Sequence, residues 1–238
     1  MKFQLYKFPQ WGVGKVLYTF ALTLIFLLPT ISARADGGDR IPYAVFDATT
    51  GTLTFKYDTQ KPNGAFEIKE NEYPDWCSSA PDIKKVKFEE SFAEFTPTSC
   101  AYWLDSCYNL TEIIDMDKYL KTENVINMDK MFSYCSSLKS INLSGFNTTK
   151  VEYMYSLFAG CANLATIYVG NNWNTDNVKS SYDMFYGCEM LYGEKGTECV
   201  PGNVDASFAH IDKGTSDPGY FTQYGNTPYT PIINYDEK

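Results

Sequence analysis

Residues 128–151, MDKMFSYCSSLKSINLSGFNTTKV, and residues 154–178, MYSLFAGCANLATIYVGNNWNTDNV, decide the fold, because they superimpose nearly position by position. A weaker copy of the same pattern begins at residue 180, and a degenerate copy begins at residue 99. The cysteine of the unit recurs in steps of 28, 26 and 27 residues, at Cys107, Cys135, Cys161 and Cys188. Matching steps at several positions indicate a repeat of about 27 residues.

Each unit changes its apolar period partway along. Apolar residues first recur at positions i, i+3, i+4 and i+7, which predicts a two-turn helix. Ile141 and Leu143 then alternate with polar residues, which predicts a short strand. Stacked units would pair these strands in parallel and cover each other's apolar faces. We therefore predict an α/β fold, a leucine-rich-repeat-like solenoid of short helices and short parallel strands, capped by an N-terminal β-hairpin.

The predicted core consists of the apolar positions that the units share. Trp173 occupies the place that Phe146 holds one unit earlier, so we expect it to pack in the core rather than to stack on a ligand. The predicted repeat core is Met128, Met131, Phe132, Cys135, Leu138, Ile141, Leu143, Phe146, Val151, Met154, Leu157, Phe158, Cys161, Leu164, Ile167, Val169, Trp173, Val178, Met184, Phe185, Cys188 and Leu191.

The N-terminus carries an export signal by its composition. Three lysines precede the apolar residues 16–28, and the triplet Ala-Arg-Ala that ends at Ala35 follows them, an order typical of a secretory signal peptide. We predict cleavage between Ala35 and Asp36, with an uncleaved anchor over residues 16–31 as the alternative. Either way we expect the residues after 36 to leave the cytoplasm, for an extracellular or bacterial cell-surface location. With cleavage we expect no membrane span in the mature chain.

The sequence patterns on either side of the repeats predict further segments of the chain. Two alternating runs flank Gly51 and predict a hairpin. A repeat array needs covers at both ends, and the sequences on either side of the repeats are suited to that purpose. The predicted organisation is a signal peptide (1–35), an N-terminal hairpin and cap (36–96), the repeats (97–192), a C-terminal cap (193–222) and a tail (223–238).

Charge and histidine content exclude several functions. The net charge is −9, and after residue 35 the chain carries 16 basic and 29 acidic residues, which argues against binding nucleic acid. A single histidine, His210, argues against histidine-based catalysis and histidine-ligated zinc. We therefore predict no catalytic residue, no cofactor and no metal.

Several polar groups suggest alternatives. Asp115 and Asp117 are expected to share one face of a strand, as solvated charges rather than a catalytic pair. His210 is expected on the outer face of an edge strand. An enzyme site in the irregular residues 192–203 is the weakest alternative. An oxygen-rich turn suggests calcium but lacks the spacing of a calcium loop, at Asn171, Asn172, Asn174, Asp176 and Asn177.

The seven cysteines follow the repeat rather than a disulfide framework. We expect buried thiols, with the cysteines of successive units too far apart to bond. Cys77 and Cys199 fall outside the repeat pattern, and a bridge involving either stays open.

The motifs MFSYCSSLKSINLSGFNTTKV and LFAGCANLATIYVGNNWNTDNV resemble the BspA-like leucine-rich repeat surface proteins of bacteria that live on animal hosts. The likeness extends over most of residues 41–222. It implies a secreted or cell-surface repeat domain that binds host proteins or other cells, and it carries over no catalytic residue.

These patterns together predict a non-enzymatic domain that binds a protein or cell-surface macromolecule in an adhesion-type role. The expected binding face is the concave strand side, or the turn edge around residues 144–150 and 171–179. The alternative is a structural spacer or a subunit of a surface assembly without a host ligand.

Overall fold

Two β-sheets built from short strands frame the protein, whose computed structural model describes residues 39–231. These residues lie within one unit, Gly38–Lys238. The predicted signal peptide, its alternative as an anchor, the cleavage site between Ala35 and Asp36, and residues 232–238 lie outside the described residues.

The first sheet is mixed, and its strands are β1 Ile41–Asp47, β2 Thr52–Asp58, β3 Phe66–Glu67, β4 Lys85–Phe88 and β5 Glu112–Ile114. β1 and β2 form an antiparallel hairpin, whereas β4 runs parallel to both β2 and β5. Gly51 lies in the hairpin turn with a φ of 67°, a conformation that glycine adopts without strain. The order of the strands across the sheet is β3-β1-β2-β4-β5.

The second sheet is parallel and consists of β6 Ser140–Leu143, β7 Thr166–Val169 and β8 Phe221–Gln223. Ile141 lies opposite Ile167, so equivalent residues of successive units face each other. The sheet ends with a strand from the predicted C-terminal cap, because β8 pairs with β7 although more than 50 residues separate them in the chain.

Helices are few and short in residues 39–231. They are the α-helix α1 Met116–Tyr119 and three 3-10 helices, Asp75–Asp82, Glu90–Glu94 and Ala206–Phe208. The predicted two-turn helices are absent, because each unit has two residues in the left-handed region, with φ between 52° and 73°, and these cannot continue a right-handed helix. They are Tyr102, Lys130, Ser156 and Asp183, and four positions later Ser106, Tyr134, Gly160 and Gly187.

The segments that replace the helices are residues 99–108, 127–136, 153–162 and 180–189, which we call turn segments. Along a turn segment the backbone amides alternate between two kinds of acceptor. One amide donates to a carbonyl of the same segment, and the next amide donates to a carbonyl of the following unit. The Cys135 amide donates to the Phe132 carbonyl at 3.1 Å, whereas the Phe132 amide donates to Leu157 of the next unit at 3.0 Å. An α-helix makes all of these bonds internally. Each of the first three turn segments therefore depends on its successor for half of its hydrogen-bond pattern.

The predicted leucine-rich-repeat-like α/β solenoid is therefore wrong. The described chain has one mixed sheet of five strands and one parallel sheet of three, with little helix. The two sheets are separate: β5 pairs with β4 and with no strand of the second sheet, and the chain leaves β5 through Asp115, which has a φ of 58° and precedes α1. The apolar period misled the prediction because two successive tight turns place positions i, i+3, i+4 and i+7 on one side, as a helix does.

Equivalent aromatic rings are aligned along the turn segments. The ring centroids of Phe132 and Phe158 are 5.6 Å apart with planes 4° from parallel, and those of Phe158 and Phe185 are 5.7 Å apart. Of the 22 positions predicted for the core, 21 are buried and Val178 is partly buried. Trp173 packs edge to face on Phe221, and its indole Nε1 donates to the Ala209 carbonyl at 2.9 Å.

Candidate binding surface

The turn edge at residues 144–150 and 171–179 is occupied by bonds between units. The Thr148 hydroxyl donates to the Asn174 carbonyl at 2.6 Å and accepts from the Asn174 amide at 2.8 Å. The side-chain amide of Asn177 donates to the Thr149 carbonyl at 2.6 Å. These polar side chains therefore join neighbouring units, and residues 39–231 hold no cluster of three potential metal ligands.

The other predicted binding face, a concave strand side, has no counterpart because the strands form two separate sheets. The outward residues of the second sheet are also engaged. The Asn142 side chain accepts from the Ser144 amide at 3.0 Å, and the Tyr168 ring lies edge to face against Tyr224 at 6.4 Å.

The carboxylates and the histidine take structural positions. Asp115 and Asp117 do not share a strand face, since Asp115 precedes α1 and Asp117 lies within it. His210 Nε2 lies 3.1 Å from Asp217 Oδ1, and the Lys213 ammonium donates to the same carboxylate at 2.7 Å. The hydrogen bond from Lys213 lowers the pKa of Asp217. The group is a surface ion pair within the C-terminal cap.

The irregular residues 192–203 form a narrow loop rather than a constellation of acids. Tyr192 and Glu198 make an antiparallel bridge, and the Gly193 amide donates to Thr197 at 2.9 Å. The Glu194 carboxylate accepts from the Gln223 amide at 3.1 Å and so links the loop to β8.

All seven cysteines are free thiols, including Cys77 and Cys199. The Sγ atoms of Cys135, Cys161 and Cys188 each donate to a carbonyl of the preceding unit, at 3.0–3.2 Å. Cys199 lies outside the sequence pattern, yet its Sγ lies 3.8 Å from the Phe185 carbonyl and continues this series. Burial raises the pKa of Cys199 to about 11, so the thiol is protonated at neutral pH.

Exposed and half-buried tyrosines form a surface that the sequence patterns did not predict. We call Tyr73, Tyr102, Lys130, Tyr155 and Tyr182 the tyrosine row. The rings of Tyr73 and Tyr102 stack at 4.2 Å, and those of Tyr155 and Tyr182 are 6.4 Å apart with planes 5° from parallel. The Lys130 ammonium lies 5.6 Å from the Tyr155 ring centroid. The row spans all four turn segments.

The row carries a positive charge at its centre on an otherwise acidic protein. Partial burial lowers the pKa of Lys130, but the neighbouring Tyr73 and Asp105 outweigh that effect and raise it overall. Burial raises the pKa of both Asp105 and Asp129, which lie beside this lysine. The Asp129 carboxylate also accepts from the Tyr155 amide at 2.7 Å. This hydrogen bond fixes the backbone of Tyr155, and with it the position of a ring of the row, to the preceding unit.

A second pair of tyrosines extends the aromatic surface. The rings of Tyr108 and Tyr134 are 6.3 Å apart. Tyr134 lies across Gly160 of the next unit so closely that a Cβ there would be 2.5 Å from the ring. The glycine therefore makes room for the ring.

The sequence contained a signal for this surface in its tyrosine content, 19 of 238 residues. The signal was hard to use because the outward positions of two tight turns differ from those of a helix. Tyr102 stands five residues before the cysteine of its unit, whereas Tyr155 stands six residues before the cysteine of its own unit. In a repeat of helices these two side chains would therefore point in different directions and would not be expected to share a surface.

Comparison with known proteins finds a similarity for the repeat region, residues 98–198. No curated protein and no solved structure matches the chain. In the described part, no helix has both the length and the apolar content to cross a membrane. Residues 98–198, which contain all four turn segments, are similar to the family described as "Mycoplasma protein of unknown function, DUF285".

Proposed function

We propose that this chain is a secreted or cell-surface, non-enzymatic repeat domain that binds a protein partner through the tyrosine row. The N-terminal export pattern and the BspA-like repeat motifs support the location and the adhesion-type role. The similarity of residues 98–198 to a protein family is compatible with a surface protein.

The observation that carries the proposal is the continuity of the tyrosine row. Tyr182 is 70% exposed and Tyr73 is 53% exposed. Other tyrosines, such as Tyr186 and Tyr224, are exposed too, but the row combines ring contacts and a lysine across all four turn segments. Tyrosine is enriched at protein interfaces because its ring offers a large contact area and loses little side-chain entropy on binding. Parallel rings held by a regular backbone are ordered before a partner arrives, which lowers the entropy lost on association.

The partner is expected to present apolar side chains and a carboxylate opposite Lys130. Lys130 makes no salt bridge within residues 39–231, although Asp105 and Asp129 lie near it, so its ammonium can pair with a carboxylate of the partner. The rest of the acidic surface would disfavour a strongly acidic partner.

The test is a double variant, Tyr155→Ser with Tyr182→Ser, measured against a panel of purified extracellular-matrix proteins and an envelope preparation of the producing cell. We expect affinity to fall by about tenfold or more. Tyr224→Ser is the matched control, since Tyr224 is 55% exposed but lies outside the row. Equal affinity of the double variant and the control would refute the proposal and favour a spacer or assembly subunit.

A further inference from the structure

The last turn segment lacks a successor. In each earlier segment the amides at the two left-handed positions donate to the next unit, as Ser156 does to Tyr182 at 3.0 Å and Gly160 to Tyr186 at 2.7 Å. The equivalent amides of residues 180–189 belong to Asp183 and Gly187. No acceptor among residues 39–231 forms a hydrogen bond with either amide.

A loop takes the successor's place only in part. The Phe185 amide donates to the Val204 carbonyl at 2.9 Å, as it would to a following unit. Cys199 replaces the next cysteine of the series, but its 3.8 Å contact with the Phe185 carbonyl is longer than the contacts between complete units. The loop therefore covers the middle of the last turn segment and leaves the part around Gly187 open.

A cavity of about 410 Å³ lies at the open part. Its walls are mainly apolar and include Phe185, Cys188, Val200 and Val204, with Gly187 at the edge. Val200 is 39% exposed. This is the space that the second turn of a following unit would occupy.

We propose that this cavity binds a turn segment of the same repeat pattern that belongs to a different protein. Such a segment would accept a hydrogen bond from Gly187 through a backbone carbonyl, and its apolar corner residue would fill the cavity. The occupant follows from continuity, because each of the three preceding edges of this kind is covered by a turn segment.

A second copy of this chain does not offer such a segment. Its first turn segment is covered, since Ala101, Trp103 and Leu104 are buried and the Trp76 indole donates to the Trp103 carbonyl at 2.7 Å. Its other turn segments are covered by their neighbours within the described residues. The partner is therefore a repeat protein with an uncovered first unit. No residue of the tyrosine row lines this cavity.

The test is a titration of the ¹⁵N-labelled purified full chain with a synthetic peptide of residues 153–164, YMYSLFAGCANL. We expect saturable shifts of the Gly187 and Val204 amide resonances and no shift at Gly51. Val200→Asp should weaken peptide binding about tenfold or more, because it places a charge in an apolar wall. The matched control is Ile126→Asp, at a residue 44% exposed and remote from the cavity, and it should change affinity less than twofold.

Three outcomes would overturn the proposal. One is an absence of shifts at Gly187 up to millimolar peptide. Another is equal binding of a scrambled peptide or of the Val200→Asp variant, with thermal melting used to show that the variant is folded. The third is concentration-dependent dimerisation of the chain alone that Val200→Asp abolishes, which would assign the cavity to a second copy. Tyr73→Ser, which changes the tyrosine row at the end remote from the last turn segment, should weaken binding at the row and leave peptide binding unchanged, so failure of one site is distinguishable from failure of the other.

Discussion

At the N-terminal end the first turn segment packs against a hairpin of two seven-residue strands and two 3-10 helices, whereas at the C-terminal end the last one packs against a loop, the three-residue 3-10 helix Ala206–Phe208 and the three-residue strand β8. The N-terminal cover is densely aromatic. The Phe55 ring lies 4.6 Å from Phe88, 5.5 Å from Trp76 and 5.4 Å from Trp103. These rings are all buried.

The C-terminal end has an aromatic cluster of its own but on one side only. Phe185 packs on Tyr220 at 5.2 Å and on Phe221 at 5.9 Å, next to β8. On the other side of Phe185, around Gly187, lies the cavity. The two ends of the repeat array therefore differ in what is covered. At the N-terminal end the first turn segment is buried, whereas at the C-terminal end the cover packs beside β8 and leaves a cavity at the last turn segment, where a partner can bind.

The largest expected effect comes from removing the N-terminal cover's hydrogen-bonded tryptophan. Trp76→Ala should lower the free energy of unfolding by about 3–5 kcal/mol, because it leaves a cavity among packed rings and an unpaired Trp103 carbonyl. Chemical denaturation measures it. Trp76→Phe, which retains a ring, should lose less.

Trp173 gives the matching measurement at the other end, since its indole also donates to a backbone carbonyl, that of Ala209. If the C-terminal end is the less completely covered one, Trp173→Ala should destabilise the protein less than Trp76→Ala. A larger loss at Trp173 would contradict the comparison between the two ends.

The second effect concerns the carboxylate that holds the C-terminal cover. Asp212 is buried, and it accepts from the amides of Lys195, Thr197 and Gly214 at 2.8–3.0 Å. Asp212→Asn should lower the free energy of unfolding by about 2 kcal/mol, since these bonds go to a charged acceptor. In this variant the rate of amide hydrogen exchange should increase across residues 193–219 relative to wild type, and the rate in β1 and β2 should not change. An equal increase in both regions would show that the C-terminal cover does not unfold independently of the N-terminal hairpin.

The same carboxylate predicts a pH dependence. Burial raises the pKa of Asp212, but hydrogen bonds from Thr197, Gly214 and Lys195 outweigh it and hold the pKa below its usual range. A lowered carboxyl pKa contributes stability above the unfolded value of about 3.9, and this contribution is lost as pH falls through the folded value. Below about pH 3.9 the wild-type protein should therefore approach the stability of Asp212→Asn. A constant difference down to pH 2 would contradict this.

The sequence predicted the repeat period and the positions that pack inward, because both depend on which residues are apolar and not on backbone conformation. It did not predict the turns. Glycine marks the left-handed positions at Gly160 and Gly187, but Lys130, Tyr134 and Ser156 adopt the same conformation without any local signal. The cross-unit hydrogen bonds hold those residues there, and such bonds are not visible in one unit's sequence.

The candidate surfaces were less predictable than the core. The tyrosine row joins residues from four turn segments and from Tyr73, which the sequence separates by up to 109 positions. The cavity depends on Val204 reaching Phe185 and on β8 pairing with β7, and neither contact follows from a local pattern. Contacts between residues far apart in the sequence therefore determine which part of the last turn segment stays uncovered.

The smallest expected effect compares a thiol within the array with its substitute at the open end. Cys188 Sγ donates to the Phe158 carbonyl at 3.1 Å, whereas the Cys199 contact is 3.8 Å. Cys188→Ala should therefore lower the free energy of unfolding by about 1–2 kcal/mol, through a lost hydrogen bond and a small cavity. Cys199→Ala should lower it by less than about 0.5 kcal/mol, because little is lost from a long contact beside an existing cavity. Thermal unfolding under reducing conditions measures both. Equal losses would mean that the loop replaces a following unit completely, and the open edge beside Gly187 would then have no energetic basis.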